Sequence, residues 1–193
     1  MELPPSLYHW LVRPEWFSQK YIIQYLNSNY CFKNKSVLDF GCGIGTNCTN
    51  FKPNHYLGVD CDLRRIDFAR YKHPEYCFRE TEGTHLPVSN GLLDYILILS
   101  VLHHIPGEEI LEYLREFRRI LKPDGKVIVM EPCVSGDLDL RSRLMCLVDR
   151  GKYIRNRNEY VGLFEQQGFQ ARTIESYNQM VLYKKIMIEA SPN

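Results

Sequence analysis

The chain has 193 residues, 24 of them basic and 23 acidic, for a formal net charge of +1. That length suits one folded domain with one core, and the near-cancellation of charge argues against a dedicated nucleic-acid binder. Seven cysteines, none in C-x-x-C spacing, exclude a patterned disulfide framework or zinc site and fit free thiols in a reducing, cytoplasmic compartment.

Read in chain order, residues 1–30 form a helical, aromatic-rich cap containing Tyr8, Trp10, Trp16, Phe17, Tyr21 and Tyr25. Glu2 and two early prolines replace the basic stretch of a secretion signal, so the triplets N-x-S/T at Asn34 and Asn47 are read as chance matches. Residues 36–40 are a short buried strand running into Gly41, Gly43 and Gly45. Residues 56–60 form the next strand, and 63–71 a helix capped by Asp62. A third strand is expected at 76–79. Residues 93–99 are almost continuously apolar, as a central parallel strand should be. The surrounding apolar stretch, 92–105, is too short to span a bilayer and carries Asp94 and two histidines.

Residues 107–121 place Ile110, Leu111, Leu114, Phe117 and Leu121 on one helical face. The sequence Lys122-Pro123-Asp124-Gly125 is a turn, and 126–130 a fifth strand. Helices are expected at 138–148 and 158–167, the second closed by Gly168. Strands at 171–177 and 180–188 should pair antiparallel through a tight turn at Asn178 and Gln179. Alternating strands and helices predict a mainly parallel sheet covered on both faces.

The glycine run carries the strongest functional signal. Glycine allows positive φ and close ligand approach, and strand ends of open α/β sheets are where ligands bind. A dinucleotide fingerprint requires G-x-G-x-x-G, whereas Thr46 stands at its last position. An ordinary tight turn is the competing reading. A second signal is the apolar strand ending at Asp60, where a carboxylate can accept both hydroxyls of a ribose; Asp62 is the runner-up, in a position suited to capping.

These residues resemble the class I S-adenosylmethionine (SAM)-dependent methyltransferases. Asp39, Gly41, Gly43 and Gly45 match that family's first motif, and Asp60, followed by Cys61, matches its ribose-binding acid. The loop Glu82-Gly83-Thr84-His85-Leu86-Pro87 is similar to the family's adenine loop, which makes Glu82 and Gly83 cofactor-binding candidates. The fourth strand with Ser100-Val101-Leu102-His103-His104 and the Lys122 to Gly125 turn also match. The resemblance implies a single doubly wound, Rossmann-like α/β domain over 1–193. Its sheet would be seven-stranded and mostly parallel with an antiparallel last strand. Residues 36–132 would form the cofactor-binding core, and 133–193 substrate-side helices and a closing strand pair.

Methyl transfer from SAM requires an in-line nucleophile and exclusion of water, and a base only where the nucleophile carries a proton. His103 and His104 are the catalytic candidates, and Ser100 is a candidate contact for the methionine part of SAM. Tyr8 and Trp10, with His9, are expected in a lid, while Glu131 and Tyr153 are expected to face substrate. Arg150, Lys152, Arg155 and Arg157 form a basic stretch read as a solvated loop, with recognition of an anionic substrate group as the alternative. The expected activity is methylation of a small-molecule acceptor, at oxygen, with S-adenosylhomocysteine (SAH) as product and no metal, membrane or nucleic-acid partner. Its alternatives are an RNA or protein methyltransferase and a non-catalytic SAM-binding subunit. No N-P-P-Y motif follows the fourth strand.

Overall fold

A strand buried at every position must be covered on both sides, and β1 (Val37–Phe40) is such a strand. The computed structural model describes residues 22–134, 152–179 and 183–193. The expected helix at 138–148, Arg150, and the lid residues Tyr8, His9 and Trp10 lie outside them.

Helix α1 (Gln24–Asn29) precedes β1. The chain then continues through β2 (Tyr56–Asp60), α2 (Leu63–Lys72), β3 (Cys77–Glu80), β4 (Leu93–Leu99), α3 (Gly107–Ile120) and β5 (Leu121–Pro132). Helix α4 (Arg157–Gln166), β6 (Phe169–Gln179) and β7 (Tyr183–Pro192) close the fold. The seven strands form one sheet in the order β3-β2-β1-β4-β5-β7-β6. Strands β1 to β5 pair in parallel, and β7 is antiparallel to both β5 and β6. The expected mostly parallel sheet with an antiparallel last strand is therefore the observed one.

Period-two alternation sends successive side chains to opposite faces. Ile96, Ile98, Val127, Val129, Ile186 and Ile188 enter one core with Leu114 and Phe117 of α3. Leu97, Ile128, Met130 and Met187 enter the other with Leu26 and Ile66. Each such buried side chain is worth about 1.5–3 kcal/mol relative to exposure. Asp94, at the start of β4, takes bonds from Lys35 (3.0 Å), Lys122 (2.8 Å) and the Ser36 amide (2.9 Å). Burial by itself would raise its pKa, but the Lys122, Ser36 and Lys35 bonds prevail and hold it at about 2.

Two expectations at the chain's end change. Helix α4 starts at Arg157 because Asn156 and Glu159 form a reciprocal capping box. Asn178 and Gln179 are not a turn: they pair with Lys184 and Tyr183, so both strands run longer than expected. Polar residues on an outer strand look like turn chemistry because one of their faces needs no apolar side chain.

The strand order reverses between β1 and β4. Loops leaving the carboxyl ends of these neighbours diverge, which opens a crevice at the switch point of such a sheet.

Candidate active site

The first wall of the crevice is loop 41–45. The amides of Gly41 and Cys42 both donate to the Val59 carbonyl, at 2.8 and 3.0 Å, which folds the chain over β2. Gly41, Gly43 and Gly45 all lie at positive φ, at +73°, +56° and +76°, a region other residues enter only with strain. Their surroundings differ. A Cβ on Gly41 would overlap the Val101 methyl groups, and one on Gly45 would lie 2.8 Å from the Phe78 ring. A Cβ on Gly43 would meet nothing within 4 Å. Two glycines therefore permit packing, and the middle one presents bare backbone to open space.

Asp60 fixes that backbone. Its Oδ2 accepts from the Gly43 amide at 2.9 Å and its Oδ1 from the Asp62 amide at 3.0 Å. Each carboxylate oxygen has a second lone pair, so both keep capacity for a ligand hydroxyl. Cys61, next to it, is exposed. Asp62 caps α2 by accepting from the Arg64 amide at 3.0 Å, the role its position suggested.

Asp39, expected at the cofactor, lies beneath the loop. It is 1% exposed and accepts from the Tyr56 hydroxyl at 2.8 Å. Burial raises its pKa to about 6 against the opposing bonds from Tyr56 and Asn47.

Glu82 and Gly83 are exposed on the loop after β3, and a Cβ on Gly83 would also meet open space. Helix α3 pins this loop with one stripe of side chains. Tyr113 donates to the Gly83 carbonyl (3.2 Å), Glu116 accepts from the Leu86 amide (2.7 Å), and Arg119 donates to the Leu86 carbonyl (3.2 Å). Their spacing of three was visible in the sequence, but nothing in it named the loop they hold.

The second wall follows β4. Ser100 sits at φ +61° and accepts from Lys185 Nζ at 3.3 Å. Glu131, expected to face substrate, is fully enclosed. Its Oε1 accepts from the amides of Val101 (2.6 Å) and Leu102 (2.8 Å), while Oε2 lies 2.6 Å from His103 Nδ1. His103 is also fully enclosed. His104 is exposed, its ring 4.0 Å from that of His103.

Tyr153 is 38% exposed, and its amide donates to the His103 carbonyl at 3.0 Å. Arg155, read as part of a solvated stretch, donates instead to the carbonyls of Leu102 (2.9 Å), Ile105 (2.9 Å) and Tyr153 (3.0 Å). Arg157 donates to Thr173 Oγ1 at 2.9 Å. No local sequence pattern marks these long-range bonds. Among the described residues, no cluster of three or more His, Cys, Asp or Glu side chains could hold a metal, and no helix is long and apolar enough to cross a membrane.

A family profile described as a methyltransferase domain matches residues 17–174. An uncharacterized protein of Methanocaldococcus jannaschii, MJ0638, is 34% identical over 102 residues, which cover 51% of this chain and 43% of that protein. Phosphoethanolamine N-methyltransferase of Triticum aestivum is 25% identical over 154 residues, covering 76% of this chain and 27% of that one. The chain thus spans about half or less of the length of these curated relatives. Geranyl diphosphate C-methyltransferase of Streptomyces coelicolor A3(2), solved with Mg2+, geranyl diphosphate and SAH, superimposes with a TM-score of 0.73 at 14% identity, over 90% of this chain and 77% of that one.

Proposed function

We propose that this chain, which belongs to the class I SAM-dependent methyltransferase family, methylates a small-molecule acceptor at oxygen. The observation that carries the cofactor assignment is the Gly43–Asp60 pair: a backbone amide held by a carboxylate, under open space, at the end of β2. The residues fit an adenosyl group. Asp60 retains acceptor capacity for a ribose diol, and Gly43 and Gly83 leave room for close approach. Glu82, exposed beside Gly83, would accept from the adenine amino group. Ser100, at the crevice end of β4, would face the methionine part.

When bound, SAM supplies a methyl group on a good leaving group. The chain's own task is then to orient the acceptor, exclude water and take up any proton the nucleophile loses. His104 is the proposed base, because its ring is accessible while the adjoining His103 is enclosed. Glu131 keeps the loop that carries His104 in place by accepting from three consecutive residues. Tyr153, half exposed and bonded through its amide to His103, is the proposed acceptor contact.

A small acceptor is favoured over RNA because Arg155 and Arg157 are committed to bonds within the fold. The two relatives above are named for small molecules, phosphoethanolamine methylated at nitrogen and geranyl diphosphate at carbon, which supports a small acceptor; oxygen is our own assignment. The test is a screen of metabolites bearing hydroxyl or carboxyl groups with methyl-labelled SAM. Label in an ether or ester product supports the reading, whereas label only in added RNA or protein replaces the small molecule with a macromolecular acceptor.

A further inference from the structure

Arg155 makes a connection that the methyl-transfer chemistry does not require. Its guanidinium bridges the Leu102 and Ile105 carbonyls on the loop after β4 and the Tyr153 carbonyl of its own segment. The guanidinium carbon lies 5.7 Å from the Tyr153 ring centroid and 5.8 Å from that of Tyr160. Backbone bonds add to this. Tyr153 donates to the His103 carbonyl (3.0 Å), and Val134 donates to the Arg155 carbonyl (3.3 Å). Segment 152–156 is therefore fastened across the end of β5 and the loop after β4.

That loop is in turn seated on the glycine loop. Val101 packs so closely on Gly41 that no Cβ fits between them. The amides of Val101 and Leu102 are held by Glu131. A continuous run of packed or bonded groups thus leads from Gly41 through Val101 and Leu102 to Arg155 and Tyr153. Physical continuity of this kind carries coupling only if both ends respond to one ligand.

We propose that Arg155 is a positioning residue that transmits cofactor binding from loop 41–45 to segment 152–156, so that the acceptor side is set once SAM is bound. This rests on the reading of the glycine loop as the SAM site. A planar fork reaches three carbonyls at fixed angles, which a lysine ammonium cannot reproduce. Reciprocity then makes the acceptor tighten SAM by the same factor.

The test is hydrogen exchange read by mass spectrometry on the full chain, with and without saturating SAH, for the wild type, Arg155→Lys and Arg155→Met. In the wild type, SAH should slow exchange in both 41–45 and 152–156, the latter by about fivefold or more, the low end of site-to-site coupling. Both variants should keep the protection at 41–45 and lose most of it at 152–156. If Arg155→Met does not fold by circular dichroism, Arg155→Lys decides. Protection confined to 41–45 in the wild type, or unchanged at 152–156 in the folded variants, overturns the proposal while leaving the cofactor reading intact. Absence of protection at 41–45 overturns the cofactor reading, and this coupling with it.

Discussion

The Gly43 amide donates to Asp60 Oδ2 at 2.9 Å, and this bond ties the middle of the glycine loop to the end of β2. A glycine is required there for the backbone it leaves exposed, whereas Gly41 is required for the contact it permits with Val101. The two positions should therefore fail in different ways.

Gly43→Ala adds a methyl group into open space at φ +56°. It should lose only about 1–2 kcal/mol of stability from the left-handed backbone, but at least about tenfold in SAH affinity, since a 1.4 kcal/mol loss already gives that factor. Gly41→Ala adds the same strain and overlaps Val101. It should cost about 2–4 kcal/mol of stability through combined strain and overpacking. Urea unfolding and SAH titration of both variants separate the two effects.

Glu131→Gln keeps the shape of a side chain that serves the Val101 and Leu102 amides and the His103 ring. One end of the new amide must direct N–H groups at a position where an oxygen accepted. A displaced loop should lower kcat about 10- to 100-fold, with SAH affinity changed much less. Steady-state methyl transfer beside SAH calorimetry measures both. Equal loss of the two would place Glu131 in cofactor binding instead.

His104→Ala should lower kcat/KM by about 10²- to 10⁴-fold, the usual contribution of a general base, and leave SAH affinity and the unfolding midpoint close to wild type. His103→Ala should instead destabilise the fold, because it opens a cavity and strips a partner from the enclosed Glu131. Activity that survives His104→Ala would mean that the nucleophile needs no base from this loop.

Stability should depend on pH with opposite signs at two aspartates. Burial raises Asp39 to about 6, so the folded chain holds that proton more tightly than the unfolded chain does. The stabilisation is complete below about pH 4 and is lost as pH rises through about 6, on the order of 3 kcal/mol. Asp39→Asn should flatten this fall. Asp94 is held at about 2 despite its burial by Lys122, the Ser36 amide and Lys35. Its contribution is present above about pH 4 and is lost as pH falls through about 2. Urea midpoints from pH 2 to 8 for the wild type, Asp39→Asn and Asp94→Asn test both slopes.

Most of the sheet was legible in the sequence because central strands admit no polar face. Leu93–Leu99 was readable to its ends, since apolar residues fill it and turn residues bound it. The positions of Gly43 and Asp60 were legible because alternating glycines follow one apolar strand and an acid ends the next. Glu131 was not. An acid at a strand end reads the same whether it faces a ligand or folds back onto the next loop, and only the Val101 and Leu102 amides decide it. Arg155 was misread for the same reason, its carbonyl partners at Leu102 and Ile105 lying some fifty residues away. Asn178 and Gln179 looked like a turn because an outer strand tolerates polar residues that a central one does not.

Calorimetric titration with SAM, SAH and NADH tests most directly whether Gly43 and Asp60 build the cofactor surface. Wild-type protein should bind SAM and SAH but not NADH, and both Asp60→Ala and Gly43→Val should abolish that binding while remaining folded by circular dichroism. Tight binding of SAH that survives both substitutions, or its absence from folded wild-type protein, would contradict the assignment of this crevice as the cofactor site.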